Sequence, residues 1–140
     1  MTIDHSWRCQ AAEPSGTLTI MKADNQVLND SKAFALRIIR LYNYLKEDKN
    51  VTVLSKQVLR SGTSIGANVR ESVNAQSRMD FINKLNIALK EANETEYWLE
   101  LLHESDIIDD KQFESIYNDC GKLAATLTKI IKTTKSEAAK

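Results

Sequence analysis

Apolar residues recur every three or four positions through most of this chain, with polar residues filling the gaps. Phe34, Ile38, Leu41, Tyr42 and Leu45 fall on one face of a helix. Asp30 and Ser31, both good N-cap types, predict its start, and the polar run Lys46-Glu47-Asp48-Lys49-Asn50 predicts its end. A second helix is predicted from about Thr52 to Ala75, with Leu54, Val58, Ile65, Val69 and Val73 as its apolar stripe. A third opens at Ser77, where Ser77-Arg78-Met79-Asp80 fits a capping box, and Phe81, Leu85, Ala88, Leu89, Ala92 and Leu99 line one face down to about Glu104. A fourth opens at Asp109 with Gln112 at N3, and Ile108 and Phe113 stand at the hydrophobic-staple positions. Its stripe is Phe113, Ile116, Tyr117, Cys120, Leu123, Ala124, Leu127, Ile130 and Ile131.

Four Gly and one Pro in 140 residues argue for long regular elements and against a turn-rich β-sandwich. Helices of roughly 20–25 residues, about 30–38 Å long, joined by short links favour antiparallel neighbours. The expected fold is all-α, an up-and-down antiparallel four-helix bundle over residues 27–135. An irregular or flexible lead is expected over 1–26, which holds the sole Pro and a Ser15-Gly16 pair, and a frayed tail over 136–140. Met21 offers a second start, so residues 1–20 read as a candidate extension.

The second helix departs from the ordinary pattern. Gln57, Ser61, Ser64, Asn68 and Glu71 fall within roughly 80° of one another on a helical wheel, beside Leu54 and Ile65. A solvated face would carry more Lys and Glu. Gly62 and Gly66 lie on the other flank, each costing about 1 kcal/mol against Ala, which close approach of another backbone would offset. One reading is a kinked helix with a solvated polar edge. The other is a helix hemmed in by bundle partners and a neighbouring subunit, its hydroxyls and amides fixing the register. On the second reading Gln57, Arg60, Ser61, Ser64, Asn68 and Glu71 form a helix-packing or oligomer interface.

Charge and chemistry narrow the function. Lys+Arg and Asp+Glu number 19 each, so composition forces no electropositive surface. Arg37 and Arg40 on the first helix, with Lys56 and Arg60 on the second, are still candidate nucleic-acid contacts, while Lys129, Lys132 and Lys135 suit a helix C-terminus. Glu96 and His103 fall near the apolar stripe of the third helix, where the acid would need a partner, Arg60 or another Arg, unless both lie at the edge and reach solvent. A di-metal carboxylate centre needs two Glu-x-x-His motifs, and one is present, Glu100 to His103. His5 and Cys9 lack companion ligands, and Ser61 and Ser64 lack a convincing base. Catalysis is therefore disfavoured, Glu96 with His103 being the one place to look. No catalytic residue, cofactor, metal or small-molecule substrate is assigned. No apolar run is long enough for a membrane span and no secretory layout opens the chain, which predicts a cytoplasmic protein with Cys9 and Cys120 reduced.

The segments FALRIIRLYNYL (34–45), LSKQVLRSGTSIGANVRES (54–72) and KEANETEYWLELL (90–102) resemble the four-helix bundle proteins encoded in intervening sequences of bacterial large-subunit ribosomal RNA genes. The resemblance covers roughly residues 21–135. Its most specific part is S-I-x-x-N-[IV]-x-E, here Ser64, Ile65, Asn68, Val69 and Glu71, with Arg60 before it; Arg70 and Ser72 depart from the usual pattern. It implies an up-and-down bundle that assembles as a homo-oligomer, a pentameric ring, without established enzymatic activity. Related accessory proteins of diversity-generating retroelements are basic rings that bind nucleic acid and a reverse transcriptase. Residues 21–140 here carry 18 basic and 17 acidic residues, so assembly carries over more readily than RNA or DNA binding.

Overall fold

The structure is a computed structural model that describes residues 14–138, with side chains for residues 25–137. Four helices follow one another: α1 (Pro14–Glu47), α2 (Val53–Val73), α3 (Arg78–Glu104) and α4 (Asp110–Ala138). No strand occurs among the described residues. Links of four or five residues join them, and α1–α2, α2–α3, α3–α4 and α4–α1 pack side by side while the diagonal pairs barely touch. Ile38 of α1 meets Gly62 while the earlier Ser31 meets the later Gly66, so α1 and α2 run antiparallel. Pairs Ser61 with Thr95 and Glu71 with Lys84 give the same sense to α2 and α3. Cys120 with Ala92 and Tyr117 with Glu100 give it to α3 and α4. This is the up-and-down four-helix bundle.

Both outer boundaries differ from expectation. Helix α1 begins at Pro14, so the irregular lead expected over 1–26 is helical from residue 14, and α4 carries helix to Ala138 where a frayed tail was expected from 136. Residues 1–13, 139 and 140 lie outside the described residues. Proline suits the first position of a helix, because its missing N–H would have no partner there anyway. Val27 is 1% exposed and shares a face with Phe34, Ile38 and Leu45, so the apolar stripe continues upstream through Ser31. Ser31 is then an interior residue of α1, its hydroxyl donating to the Leu28 carbonyl, and not a cap.

The inner boundaries follow the capping chemistry. The Ser77 hydroxyl accepts the Asp80 N–H at 3.1 Å. At α4 the box is reciprocal: the Gln112 N–H donates to Asp109 Oδ1 at 2.8 Å and the Asp109 N–H donates to Gln112 Oε1 at 3.0 Å. Helix α3 ends in a Schellman motif. Asp106 sits at φ 62°, its N–H donates to His103 O, and the Ile107 N–H donates to Leu102 O. Asn50 takes φ 56° after α1, and Val51 N–H then returns to Leu45 O. Asn and Asp tolerate this left-handed region better than most side chains.

Between the helices lies one continuous apolar core. Phe81, Ile38, Leu45, Ile65, Leu85, Leu99, Leu102 and Leu127 are among its fully buried side chains, and Ile108 and Ala75 close it from the links. Each large side chain so buried contributes about 1.5–3 kcal/mol. Two glycines of α2 bring α1 close. A Cβ on Gly62 would stand 2.7 Å from Ile38, and one on Gly66 would stand 3.3 Å from the Ser31 carbonyl oxygen. Gly121 of α4 faces nothing within 4 Å.

These glycines should respond in opposite senses. Gly62→Ala forces the buried Ile38 aside, an overpacking cost of about 1–3 kcal/mol against about 1 kcal/mol regained in helix propensity. It should lower stability by about 1 kcal/mol. Gly121→Ala has only the propensity gain and should raise stability by up to about 1 kcal/mol. Urea unfolding followed by circular dichroism gives both signs.

Candidate functional site

The small-polar stripe of α2 divides where it meets α3. Ser61 is fully buried, and its hydroxyl lies 2.9 Å from that of Thr95, itself fully buried on α3. Thr95 Oγ1 is also 2.7 Å from the Glu91 carbonyl, and Ser61 Oγ is 3.5 Å from the Val58 carbonyl. Two hydroxyl protons thus meet one hydroxyl–hydroxyl contact and two carbonyls, which satisfies both groups inside the core. The other members turn back onto their own helix. The Ser64 hydroxyl donates to the Arg60 carbonyl at 2.6 Å, and Asn68 Nδ2 donates to the Ser64 carbonyl at 2.8 Å. Gln57 is half-buried beside them. The amide and hydroxyl pattern thus reflects local back-bonding for Ser64 and Asn68, and an interhelical bond for Ser61.

Charged members tie the same seam from outside. Arg60 bridges Glu91, at 3.3 Å, and Glu94. Glu94 also accepts the Trp98 indole N–H at 3.2 Å. The Arg60 hydrogen bond holds the Glu94 carboxyl below the usual carboxylate range, and Glu94 in turn raises the guanidinium above its ordinary value. Glu71 pairs with Lys84 at 3.1 Å. Both bridges are exposed on at least one side, so each adds little to stability and serves to mark register.

The four candidate nucleic-acid contacts are not brought together. Arg37 crosses from α1 to α4, donating to Asp119 at 2.5 Å and to the Ser115 hydroxyl at 2.9 Å. Arg40 is exposed and lines a groove of roughly 440 Å³ between α1 and α4, along with Lys122, Phe34 and Leu123. Arg60 stands at the α2–α3 seam, the opposite side of the square, and Lys56 is exposed on α2.

Glu96 lies away from Arg60, one of the partners open to it. It faces α4, where burial and the neighbouring Glu100 push its carboxyl above the usual range. Tyr117 donates to Glu100 at 3.0 Å, and burial together with that bond pushes the phenol up to about 12. Cys120 is buried, its thiol 3.3 Å from the Ala92 carbonyl, and burial with Glu96 nearby pushes it up to about 12. A thiol held protonated in this way is a poor nucleophile. His103 turns to Asp110 at 2.7 Å and stacks on Phe113 with ring centroids 4.2 Å apart. Ser61 and Ser64 have no imidazole among their hydrogen-bond partners. Among the described residues no three His, Cys, Asp or Glu side chains stand close enough to hold a metal ion. His5 and Cys9 lie outside the described residues.

Thr95, Asp119 and Ser115 were not singled out from the sequence. Thr95 had a signal: a hydroxyl on the apolar face of α3, between Ala92 and Leu99, calls for a polar partner across the seam. Asp119 and Ser115 had none, because which acid meets Arg37 depends on how α1 and α4 align.

A protein of this kind is defined by its packing: an all-α up-and-down bundle whose polar interior groups serve the seams. Residues 23–129 match the family model described as 23S rRNA-intervening sequence protein, and the chain belongs to that family. It is also similar to a protein of unknown function from the S23 ribosomal protein family of Bacteroides thetaiotaomicron VPI-5482, whose crystal structure is known at 1.70 Å resolution. The two are 59% identical, with a TM-score of 0.78, over 79% of this chain and 98% of that one. No curated protein matches the chain. Among the described residues no helix is long and apolar enough to cross a membrane.

The Ser61–Thr95 contact can be weighed by a double-mutant cycle. Ser61→Ala and Thr95→Val should each cost about 1 kcal/mol, since each leaves the other hydroxyl with one partner fewer. The double variant should cost less than the two together, because no hydroxyl is then left at the contact. Urea midpoints of the four proteins read the coupling.

Proposed function

We propose that this chain is a non-enzymatic, cytoplasmic bundle that works by self-association, forming a homo-oligomer through which it presents an interaction surface. The observation that carries this is the exposure of large apolar side chains on three helices: Leu36 (48%) and Ile39 (40%) on α1, Val53 (72%) on α2, and Met79 (73%), Ile87 (41%) and Tyr97 (54%) on α3. Such faces on a folded domain mark contact with another surface. A formal net charge of zero places little repulsion between copies. The non-enzymatic part draws on the site residues, whose hydroxyls are committed to packing and whose thiol is buried. The number five rests on the family resemblance. Light scattering on a sizing column should give several times the 15.8 kDa chain mass at micromolar concentration, and a clean monomer overturns the proposal.

A second reading, binding of structured RNA or DNA, is favoured by Arg40, Lys122 and Lys56, which stand at the surface with no acidic partner among the described residues. Against it, Arg37 and Arg60 are already engaged by acids. Wild-type protein should then retard a structured RNA in a salt-dependent way, and Arg40→Ala/Lys122→Ala should abolish the shift. Absence of binding at low salt removes this reading.

A further inference from the structure

We propose that the α3–α4 seam is a proton-sensitive closure: a proton on Glu96 tightens it, and loss of that proton lets it open locally and bare Cys120. This holds whether or not copies of the chain associate. Toward α2, the acids of α3 meet a cation, since Arg60 takes both Glu91 and Glu94. Toward α4 they do not. Among the described residues no Lys or Arg pairs across the α3–α4 seam, and its one charged contact is His103 with Asp110 at the link.

Glu96 and Glu100 stand one turn apart on α3, both half-buried. Tyr117 and Cys120 face them from α4, and Asp119, which also bears on Cys120, is engaged by Arg37. The titratable groups that face Glu96 are therefore all acids. Glu100 accepts the Tyr117 phenol, whereas Glu96 has neither a hydrogen-bond donor nor a cation among the described residues. Burial first, and the Glu100 charge second, hold the Glu96 carboxyl above the usual carboxylate range. The folded chain therefore binds this proton more tightly than the unfolded chain does. The stability it contributes is full below the ordinary value of 4.5 and is lost as pH rises through the raised one. Cys120 lies in the same seam with no exposed surface, so a reagent reaches its thiol only when α3 and α4 part.

The test uses the whole chain with Cys9→Ser as the parent, so that Cys120 is the one thiol. Its reaction with dithiodipyridine, which detects thiols in acid as well as at neutral pH, is measured relative to the urea-unfolded chain at the same pH. Glu96→Gln should react severalfold more slowly than the parent at about pH 8, and at nearly the parent's rate at about pH 5. Glu104→Gln, on the same helix but exposed, should match the parent at both. Low concentrations of urea should scarcely change the parent's rate, because a local opening exposes little surface. Equal rates for Glu96→Gln and the parent at about pH 8 overturn the role of Glu96. So does a gap of the same size at about pH 5, or an equal effect of Glu104→Gln. A rate that climbs with urea as steeply as global unfolding does overturns the local opening.

Discussion

How closely α1 can approach α2 governs the rest of this bundle. Gly62 leaves the space that Ile38 fills, and Gly66 lets the Ser31 carbonyl come within van der Waals reach of the helix. Backbone this near cannot slide without driving Ile38 into the α2 main chain, so the two contacts fix both depth and register of the seam. The next consequence is angular. Ser61 precedes Gly62 by one residue, about 100° around the helix. Once Gly62 is held against α1, Ser61 is turned to α3 and meets Thr95 in the core. The glycines and the buried hydroxyl pair are therefore two parts of one alignment.

Periodicity made the helical faces legible, because a residue's side of its own helix depends only on local geometry. Caps were legible for the same reason: Ser77 with Asp80, and Asp109 with Gln112, act within four residues. The crowding at Gly62 and Gly66 was also foreseeable, since an interior helical glycine needs a reason. The start of α1 was misread because Asp30 and Ser31 look like a cap. Ser31 is small for another purpose, since it is 1% exposed and lies against Gly66. Pro14 was read as a breaker although the first turn of a helix accepts it.

Partner choice across seams was not legible. Arg60 reaches Glu91 and Glu94, and Arg37 reaches Asp119, through side chains long enough to span several alternative registers. Which acid each one finds follows from the interhelical alignment set by the small residues. Arg60 takes Glu94 and not Glu96 for this reason: the two acids are two positions apart, roughly 200° around α3, and only one can face α2. Likewise the polar stripe of α2 gave no warning that Ser64 and Asn68 would bond to their own backbone, because a short polar side chain satisfies its hydrogen bonds equally well either way.

A neutral total charge conceals an uneven distribution. The ion pairs of Arg37, Arg60 and Lys84 consume charge at the seams, where they follow the alignment that the small residues set. Other charges stay outside these pairs, among them Lys32 and Arg40 beside Leu36 and Glu104 beyond Tyr97, all exposed. The interior chemistry is spent on packing: hydroxyls on carbonyls, a thiol on a carbonyl, a phenol on a carboxylate. On the proposed function, then, the core settles the shape of one copy, and the choice of neighbour falls to outer side chains that the core does not need. Such a division lets the outer faces of α1 and α3 change with little effect on the fold, whereas a change at Gly62 or Ser61 alters the bundle itself.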